Sequence, residues 1–545
     1  MKTKTLKIIP LGGLGEVGKN MTVYEYGNDI LVVDAGMMFP DNDMIGIDYI
    51  IPDFEYLKRN ANRVRGIIIT HGHEDHTGAI SHVLEAINAP IYATPLTRGL
   101  IEVKLAKRGF TNRVDLRTIH AGDTLQIGQF KIEAFHVCHS IPDGIGLGIE
   151  TPAGLIVHTG DYKFDHTPVD NWPTDYAKLA EFARRGTLAL LADSTNAERP
   201  GWTPSERVID SAFDRVFQDA KGRIIVATFA SLISRMEQVV NAAAKYNRKV
   251  AFVGMSMTEN VKIAENLGYL KLNPETVVPA DNALNMKDEK VVLMVTGSQG
   301  EPSSILGRLA TGSNKRFDIK AGDTVVLSSH PIPGNEEMVY RMVNKLLAQG
   351  ADVIYEAVAP VHVSGHASQE EIKLLLHLVH PKFLVPIHGE LRMLKQHAKL
   401  AMEVGVPHEN IALVGNGQVI EFTDGKMSLG ERIPGGYVFV DGSGVGDVDR
   451  SVMREREALG TNGIVLVNLR VNKGSGVLID TEIISRGFVA DDEAGTLFAS
   501  LRSKISKQVT SSDGSLKQDI QNLVKSFLYE ETKRRPEVFI NISRL

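Results

Sequence analysis

The sequence predicts an α/β protein in several units: a strand-rich first segment, a doubly wound α/β unit inserted into it, and a small α+β tail. Three observations lead there. A chain of 545 residues is too long for one core. From Pro204 onward, short apolar runs alternate with helical patterns, which is the mark of a parallel sheet. The apolar run Lys382-Phe383-Leu384-Val385-Pro386-Ile387 then ends in His388, just as an earlier run ends in a histidine-rich loop. The chain therefore returns to its first unit after the α/β excursion.

In chain order, short apolar or alternating runs place strands over 5–10, 21–26, 29–34, 66–69, 130–134, 146–150, 155–158 and 188–191. Residues 77–87 read as a helix. The stretch Leu11-Gly12-Gly13-Leu14-Gly15-Glu16-Val17-Gly18 suggests a dinucleotide loop. A hairpin, not a strand-to-helix turn, follows it, and this favours a structural turn. In the insertion, strands fall over 223–228, 249–253, 290–295 and 323–327, and helices over 233–246 and 335–349. Ile433-Pro434-Gly435-Gly436 and Asp441-Gly442-Ser443-Gly444-Val445-Gly446 mark a glycine-rich connector. Beyond it, strands are expected over 463–471, 476–479 and 537–542, and helices over 494–508 and 516–531. The expected division is 1–203 and 357–432 for two parts of one domain, 204–356 for the insertion, 433–459 for a linker and 460–545 for the tail.

A content of 43% hydrophobic and 23% charged residues is that of an ordinary globular protein. No apolar run has membrane-spanning length, and Met1-Lys2-Thr3-Lys4 lacks an apolar signal core. The single cysteine, Cys138, excludes an internal disulfide and a cysteine zinc cage, so a cytoplasmic location is expected. A net charge of −6 does not advertise a nucleic-acid binder. It does not exclude one, because only the local field of a groove matters.

The chemistry concentrates in Thr70-His71-Gly72-His73-Glu74-Asp75-His76. Three imidazoles and a carboxylate crowded onto one strand-end loop have little structural use. They suit a pair of divalent cations, with zinc or manganese favoured by the mixed donor set. One loop cannot surround two ions, so further ligands must come from other strand ends. His139, Asp161 and His388 each follow a predicted strand, and a carboxylate such as Asp161 can bridge two cations. His136 and His158 are poorer candidates, because strand alternation turns them away or leaves them below the ligand face.

His71, His73, Asp75, His76, His139, Asp161 and His388 together resemble the metallo-β-lactamase superfamily, whose fold is an αββα sandwich. The insertion resembles that of the β-CASP subgroup, which acts on nucleic acids. Asp193 in Leu191-Ala192-Asp193-Ser194 matches its extra acidic motif, and His366 and His388 match its two histidine motifs. Within the subgroup the chain resembles the bacterial ribonuclease J family. Pro10-Leu11-Gly12-Gly13, His139-Ser140-Ile141-Pro142-Asp143, Thr159-Gly160-Asp161-Tyr162-Lys163, Thr296-Gly297-Ser298-Gln299-Gly300 and His330-Pro331-Ile332-Pro333-Gly334 carry that likeness.

The resemblance implies a two-metal phosphodiesterase that leaves 5′-phosphate products. It assigns His71, His73 and His139 to one cation and Asp75, His76 and His388 to the other, with Asp161 bridging. Zinc is implied, with manganese or magnesium as alternatives. His366 is the expected general acid, oriented by Asp193. The alternative for His366 is a phosphate contact, since both roles use the same N–H. His362, Val363, Ser364, Gly365 and His366 form a loop suited to gripping a 5′-monophosphate. Thr296 to Gly300 and His330 are weaker substrate candidates. The implied partners are single-stranded RNA, a second or fourth copy of the chain (homodimer or homotetramer), and an RNA-degradation complex, with no membrane. The implied activity is 5′-to-3′ exonuclease plus endonuclease action in RNA maturation and mRNA decay. Two other readings are a small-molecule metallo-hydrolase and a non-catalytic RNA-binding subunit. The long excursion between Asp193 and His388 argues against the first, and the intact ligand set against the second.

Overall fold

A computed structural model describes residues 5–41, 43–110, 113–509 and 516–545. Met1 to Lys4, read above for a signal core, lie outside the described residues. The chain divides into two compact units. One comprises Met1–Phe39 and Tyr49–Val438, the other Pro40–Asp48 and Phe439–Leu545.

Two sheets form the centre of the first unit. An eight-stranded sheet includes Leu6–Gly12, Met21–Tyr26, Asp29–Val33 and Val64–Ile68 side by side. A six-stranded sheet runs Phe383–Ile387, Thr187–Asp193, Gly154–His158, Ile145–Thr151, Phe130–His136, Thr124–Ile127. Strand alternation explains how they stack. In Phe130–His136, Ile132 and Ala134 join Leu6, Ile8, Tyr24, Leu31 and Ile68 in a core between the sheets. Phe135 points the other way, into a core with Leu179, Phe182, Ile372, Leu375 and Leu400 from helices on the outer face. This is the αββα sandwich. Strands Gln418–Thr423 and Lys426–Arg432, which did not stand out in the sequence, complete the first sheet beside Leu6–Gly12.

The insertion is a five-stranded, wholly parallel sheet in the order Lys249–Phe252, Val291–Val295, Ile224–Ala227, Thr324–Leu327, Asp352–Ile354. Ile224 and Val226 face one helical layer, and Ile225 and Ala227 face the other. Alternate residues of a buried parallel strand serve opposite cores. The sequence signal was therefore a continuous apolar run.

Three expectations change. The helix over 77–87 is two short ones, Glu74–Thr77 and Ile80–Ala86. The Ala79 N–H leaves the helical ladder to donate to Ala35 O at 2.8 Å. The segment 433–459, read as a linker, carries strand Tyr437–Asp441 and most of helix Arg450–Asn462. That helix is capped by Asp449, whose carboxylate accepts from the Ser451 and Val452 N–H groups. It buries none of its side chains, so no apolar stripe marked it in the sequence. The strand read over 476–479 is longer, Leu478–Arg486, and its exposed charged residues Asp480, Glu482 and Arg486 break the apolar run.

In the second unit, Ile464–Val471 pairs antiparallel with Leu478–Arg486 and parallel with Glu537–Arg544. Helices Asp491–Val509 and Leu516–Thr532 cover one face through Leu501, Ile505, Val524 and Phe527. Among the described residues, no helix is long and apolar enough to cross a membrane.

Candidate metal centre

The ligand loop leaves the strand Val64–Ile68 in the middle of the first sheet. Its neighbour Asp29–Val33 supplies the support. Asp34, in left-handed backbone at φ 66°, accepts from the Thr70 N–H at 2.8 Å and the His76 Nδ1–H at 2.8 Å. Backbone N–H groups of Ala35, Met37 and Asn20 bond to the carbonyls of His76, Glu74 and Asp75. The approach is so close that a Cβ on Gly36 would lie 1.6 Å from the Asp75 oxygen. No other residue fits there.

The seven expected ligands converge. His71 Nε2 and His139 Nε2 each lie 3.1 Å from His73 Nδ1. His388 Nε2 and His76 Nε2 lie 3.1 Å and 3.4 Å from Asp75 Oδ2. Asp161 Oδ2 sits between the two groups. It is 3.7 Å and 3.6 Å from the Nε2 atoms of His71 and His139, and 3.3 Å and 3.7 Å from those of His76 and His388. Its other oxygen, Oδ1, is buried without a hydrogen-bond partner.

These separations fit a pair of cations. A tetrahedral shell with ligands at about 2.1 Å has edges of about 3.4 Å. Bare imidazole nitrogens and a partnerless carboxylate oxygen in a buried pocket are costly unless a cation satisfies them. The histidines are also presented in the ligand form. His139 Nδ1 donates to Gly365 O at 2.8 Å, and His388 Nδ1 meets Thr195 Oγ1 at 2.6 Å. With His76 Nδ1 on Asp34, this leaves three Nε2 lone pairs aimed inward. His388 also takes left-handed backbone, φ 52°, held by Ser194 N and Thr195 Oγ1 on its carbonyl.

The electrostatics run in two directions. Burial holds His71 and His139 well below the ordinary imidazole range and His73 at about 4. Burial opposes protonation of His76 and His388 too, but Asp161 with Asp75, Asp34 and Asp193 outweighs it and pushes both well up. For Asp161, burial works against ionisation, and the charges of His388 and His76 more than reverse it. A cation entering this carboxylate-rich side displaces protons.

His366 stands beside the ligands. Its Nδ1 is 2.7 Å from Asp193 Oδ2, and its ring centroid is 4.9 Å from that of His139 and 5.4 Å from that of His388. One of its ring nitrogens lies within 4.8 Å of ligand atoms of both His139 and Asp161. Burial lowers its pKa, but the charge and hydrogen bond of Asp193 outweigh this and raise it. Asp193 itself accepts a further bond from Thr195 Oγ1 at 2.7 Å. Thr195 thus joins His388 to Asp193.

The loop from His362 to His366 is held from several sides. Asn196 Nδ2 donates to Ser364 Oγ at 2.8 Å and to His366 O at 3.0 Å. Thr203 Oγ1 donates to His366 O at 2.7 Å. Fully buried Arg235 donates to Val361 O at 2.8 Å and pairs with Glu206. Val363 turns its side chain into the core of the insertion, leaving only its backbone for a ligand. Gly365 lies against His139, where a Cβ would come within 2.6 Å of Nδ1. Burial, then Arg235, His330 and Arg199, hold His362 neutral, and its buried Nδ1 has no partner. Arg199 donates to His330 Nε2 at 3.2 Å, and Gln299 donates to His330 O at 2.9 Å. The turn at Thr296 to Gly300 therefore reaches the loop's rim through His330.

Glu371 joins these parts. Its carboxylate accepts from the N–H groups of Phe164 at 2.8 Å, Thr203 at 2.7 Å and Ser368 at 2.8 Å. It thereby ties the Asp161 loop, the entry to the insertion and the helix after His366. Glu371 was missed in the sequence, although Ser368-Gln369-Glu370-Glu371 is a readable capping box. Asp34, Thr195, Asn196 and Arg199 were also missed. Of these, only Asp34 carried a signal, as a carboxylate at a strand end.

The two poorer candidates lie apart. His158 bonds to Tyr24 Oη at 2.8 Å, and His136 stacks on Trp172 at 3.8 Å. The glycine-rich stretch is a structural turn. Leu14–Gly15 pairs with Gly389–Glu390 beside His388, and Glu16 binds Lys19 at 2.6 Å and Asn416 at 2.7 Å.

Comparison with known proteins agrees with this arrangement along the chain. The metallo-beta-lactamase superfamily model matches residues 14–199. The models for the ribonuclease J beta-CASP domain, the Zn-dependent metallo-hydrolase RNA specificity domain and the ribonuclease J C-terminal domain match 221–346, 350–412 and 451–545. The chain is 41% identical to ribonuclease J2 of Bacillus subtilis over 544 residues, 98% of each chain. It is 44% identical to ribonuclease J of Synechocystis sp. over 490 residues, 90% of this chain and 76% of that one. It is 41% identical to ribonuclease J of Thermus thermophilus over 546 residues, 98% and 94% of the two chains. A solved protein of unknown function from Enterococcus faecalis V583 shares the fold, with TM-score 0.54 and 17% identity over 76% of this chain and 100% of that one. With its candidate His/Asp metal site and this full-length likeness, the chain belongs to the ribonuclease J family of the metallo-β-lactamase superfamily.

Proposed function

We propose that this chain is a two-cation ribonuclease that hydrolyses RNA to 5′-phosphate products. It acts 5′-to-3′ on 5′-monophosphorylated RNA and also internally, in RNA maturation and mRNA decay in the cytoplasm. The observation that carries this is the placing of Asp161 Oδ2 among four imidazole nitrogens, with the Asp193–His366 pair alongside.

His71, His73 and His139 would hold one cation, Asp75, His76 and His388 the other, and Asp161 both; zinc suits this nitrogen-rich set. Bound there, two cations supply Lewis-acid stabilisation of phosphoryl charge and an acidified water. The protein's own groups do the rest. Asp193 accepts the Nδ1–H of His366 and fixes the ring, which leaves Nε2 to protonate the departing ribose 3′-oxygen. Ser364, the backbone of Val363 and Arg199, braced at the rim on His330, offer hydrogen bonds and positive charge to a terminal phosphate.

The test compares turnover of matched RNAs bearing a 5′-monophosphate or a 5′-triphosphate. The monophosphate should be degraded processively from its 5′ end. The triphosphate should be cut only internally. No turnover of either RNA, with metals bound, would leave the non-catalytic RNA-binding reading.

Self-association belongs to the same proposal. On the open face of the second unit's sheet, Ile484, Leu466 and Phe539 stand in one row across three strands. Phe539 is 50% exposed and Ile484 38%. An apolar row of this kind suits a second copy of the chain. Removing residues 439–545 should turn a dimer or tetramer into monomers that keep both metal ions, as light scattering and elemental analysis would read. An unchanged oligomer would remove this role from the unit.

A further inference from the structure

Outside the carboxyl end of the edge strand Lys249–Phe252 lies an open groove of about 810 Å³, distinct from the metal centre. Its floor is apolar: Phe252, Val253 and Ile305. Its walls carry Lys262, Arg308, Lys315 and Arg316 against a single carboxylate, Glu259. That carboxylate is already paired with Lys107 at 2.6 Å, and Arg316 with Asp281. Lys262 and Lys315 have no ion-pair partner among the described residues. The buried Nδ2 of Asn314, also in the wall, has no hydrogen-bond partner. In a chain of net charge −6, this is a local field of the opposite sign.

One helix links the groove to the metal centre. Pro95–Lys107 starts beside the ligand loop, where Leu100 lies against Gly72. Lys104 donates to Glu74 Oε2 at 2.7 Å. Seven residues beyond Leu100, about 10 Å along the axis, Lys107 reaches Glu259 in the groove wall. Gly99 of the same helix lies against Ile263 of Met255–Asn266. Lys104 and Lys107 on this helix are each paired with a carboxylate, Glu74 and Glu259, so the unpaired cations lie in the groove itself, at a distance short enough for a few nucleotides to span.

We propose that this groove is a distal subsite for the sugar–phosphate backbone of RNA on the 3′ side of the bond being cut, a few nucleotides from the metal centre. The cations and the unpartnered Nδ2–H of Asn314, whose Oδ1 already accepts from the Arg316 N–H, receive phosphate oxygens, and the apolar floor receives a base face. The proposal rests on the ribonuclease reading above, and its test separates the two. Such a subsite adds affinity for long RNA and nothing to the chemical step, so it serves retention of the strand between successive cuts.

The experiment uses the metal-loaded full chain and the double variant Lys262→Gln/Lys315→Gln, two exposed side chains outside the metal centre. Binding of cleavage-resistant, 5′-monophosphorylated phosphorothioate RNAs of 20 and 5 nucleotides is followed by fluorescence anisotropy across a salt series. The variant should bind the 20-mer about tenfold more weakly, with a salt slope smaller by about 1.4, the loss of two phosphate contacts on a single strand. It should bind the phosphorothioate 5-mer, and cleave an unmodified 5-mer of the same sequence, as the parent does. Unchanged affinity for the 20-mer overturns the subsite. An equal loss for both lengths overturns its distal placement. Saturable binding of adenosine monophosphate to the parent, absent in the variant and without effect on 20-mer affinity, would make it a free-nucleotide site and overturn the RNA occupant. Cleavage of the unmodified 5-mer by the parent keeps the ribonuclease reading in every case.

Discussion

Asp161→Ala is expected to lose bound metal and ribonuclease activity together. Asp161 Oδ2 is the one atom that approaches imidazoles of both ligand groups, at 3.3–3.7 Å. Its removal takes a ligand from each cation and leaves five histidines facing one another around the space. Repulsion between the cations would then be unshielded, and His76 and His388 would lose the carboxylate that contributes most to attracting charge to them. Elemental analysis should fall from about two divalent ions per chain to below one. Activity should drop by on the order of 10⁴-fold or more, because water away from a metal returns from a pKa of about 7 toward 15.7. The fold should survive, since Asp161 lies in a loop and Glu371 still anchors Phe164 nearby. A variant that retained both ions and full turnover would overturn the assignment of the bridge.

The candidate ligands stood out in the sequence because each follows a predicted strand, and four of them lie within six residues. Strand periodicity then separated His139 and His388 from His136 and His158. The supports were harder to see. Thr195 matters only because the chain returns with His388, 193 residues later. Glu371 shows locally as a capping residue, while two of its three bonds go to Phe164 and Thr203, far off in sequence. Asn196 is one polar residue in a turn, and its role depends on a loop 168 residues away. Long-range hydrogen bonds of this kind leave no periodic trace. The same holds for the groove, whose cations come from separate segments around Lys262, Arg308 and Lys315. In the fold, buried runs announced the parallel sheet of the insertion, but helix Arg450–Asn462 escaped because it buries no side chain. Apolar patterning reports burial, and an exposed helix held by its cap has little to report.

His366→Ala should lower the cleavage rate by roughly 10²–10⁴-fold, the usual contribution of a general acid, while metal content stays near two ions per chain. The separation of these two readouts follows from geometry. His366 contacts the ligand rings at 4.9 Å and 5.4 Å between centroids, but its short bond, 2.7 Å, is to Asp193. The seven candidate ligands would suffice for both proposed cations. Asp193→Asn should lower the rate in the same direction, because an amide no longer offers the charge that raises the imidazole's pKa. It should also disturb His388 slightly through Thr195, so its metal content needs measuring alongside. The substrate provides the sharper test. When the scissile linkage carries a 3′-sulfur, the leaving group needs little protonation. The His366→Ala defect should then shrink by most of its magnitude. A defect of equal size on sulfur and oxygen substrates would show that His366 binds phosphate rather than donating a proton. A parallel loss of metal would instead make it a ligand, which its position within 4.8 Å of His139 and Asp161 atoms would allow. Proton donation therefore requires both results, full metal content and a defect that the better leaving group relieves.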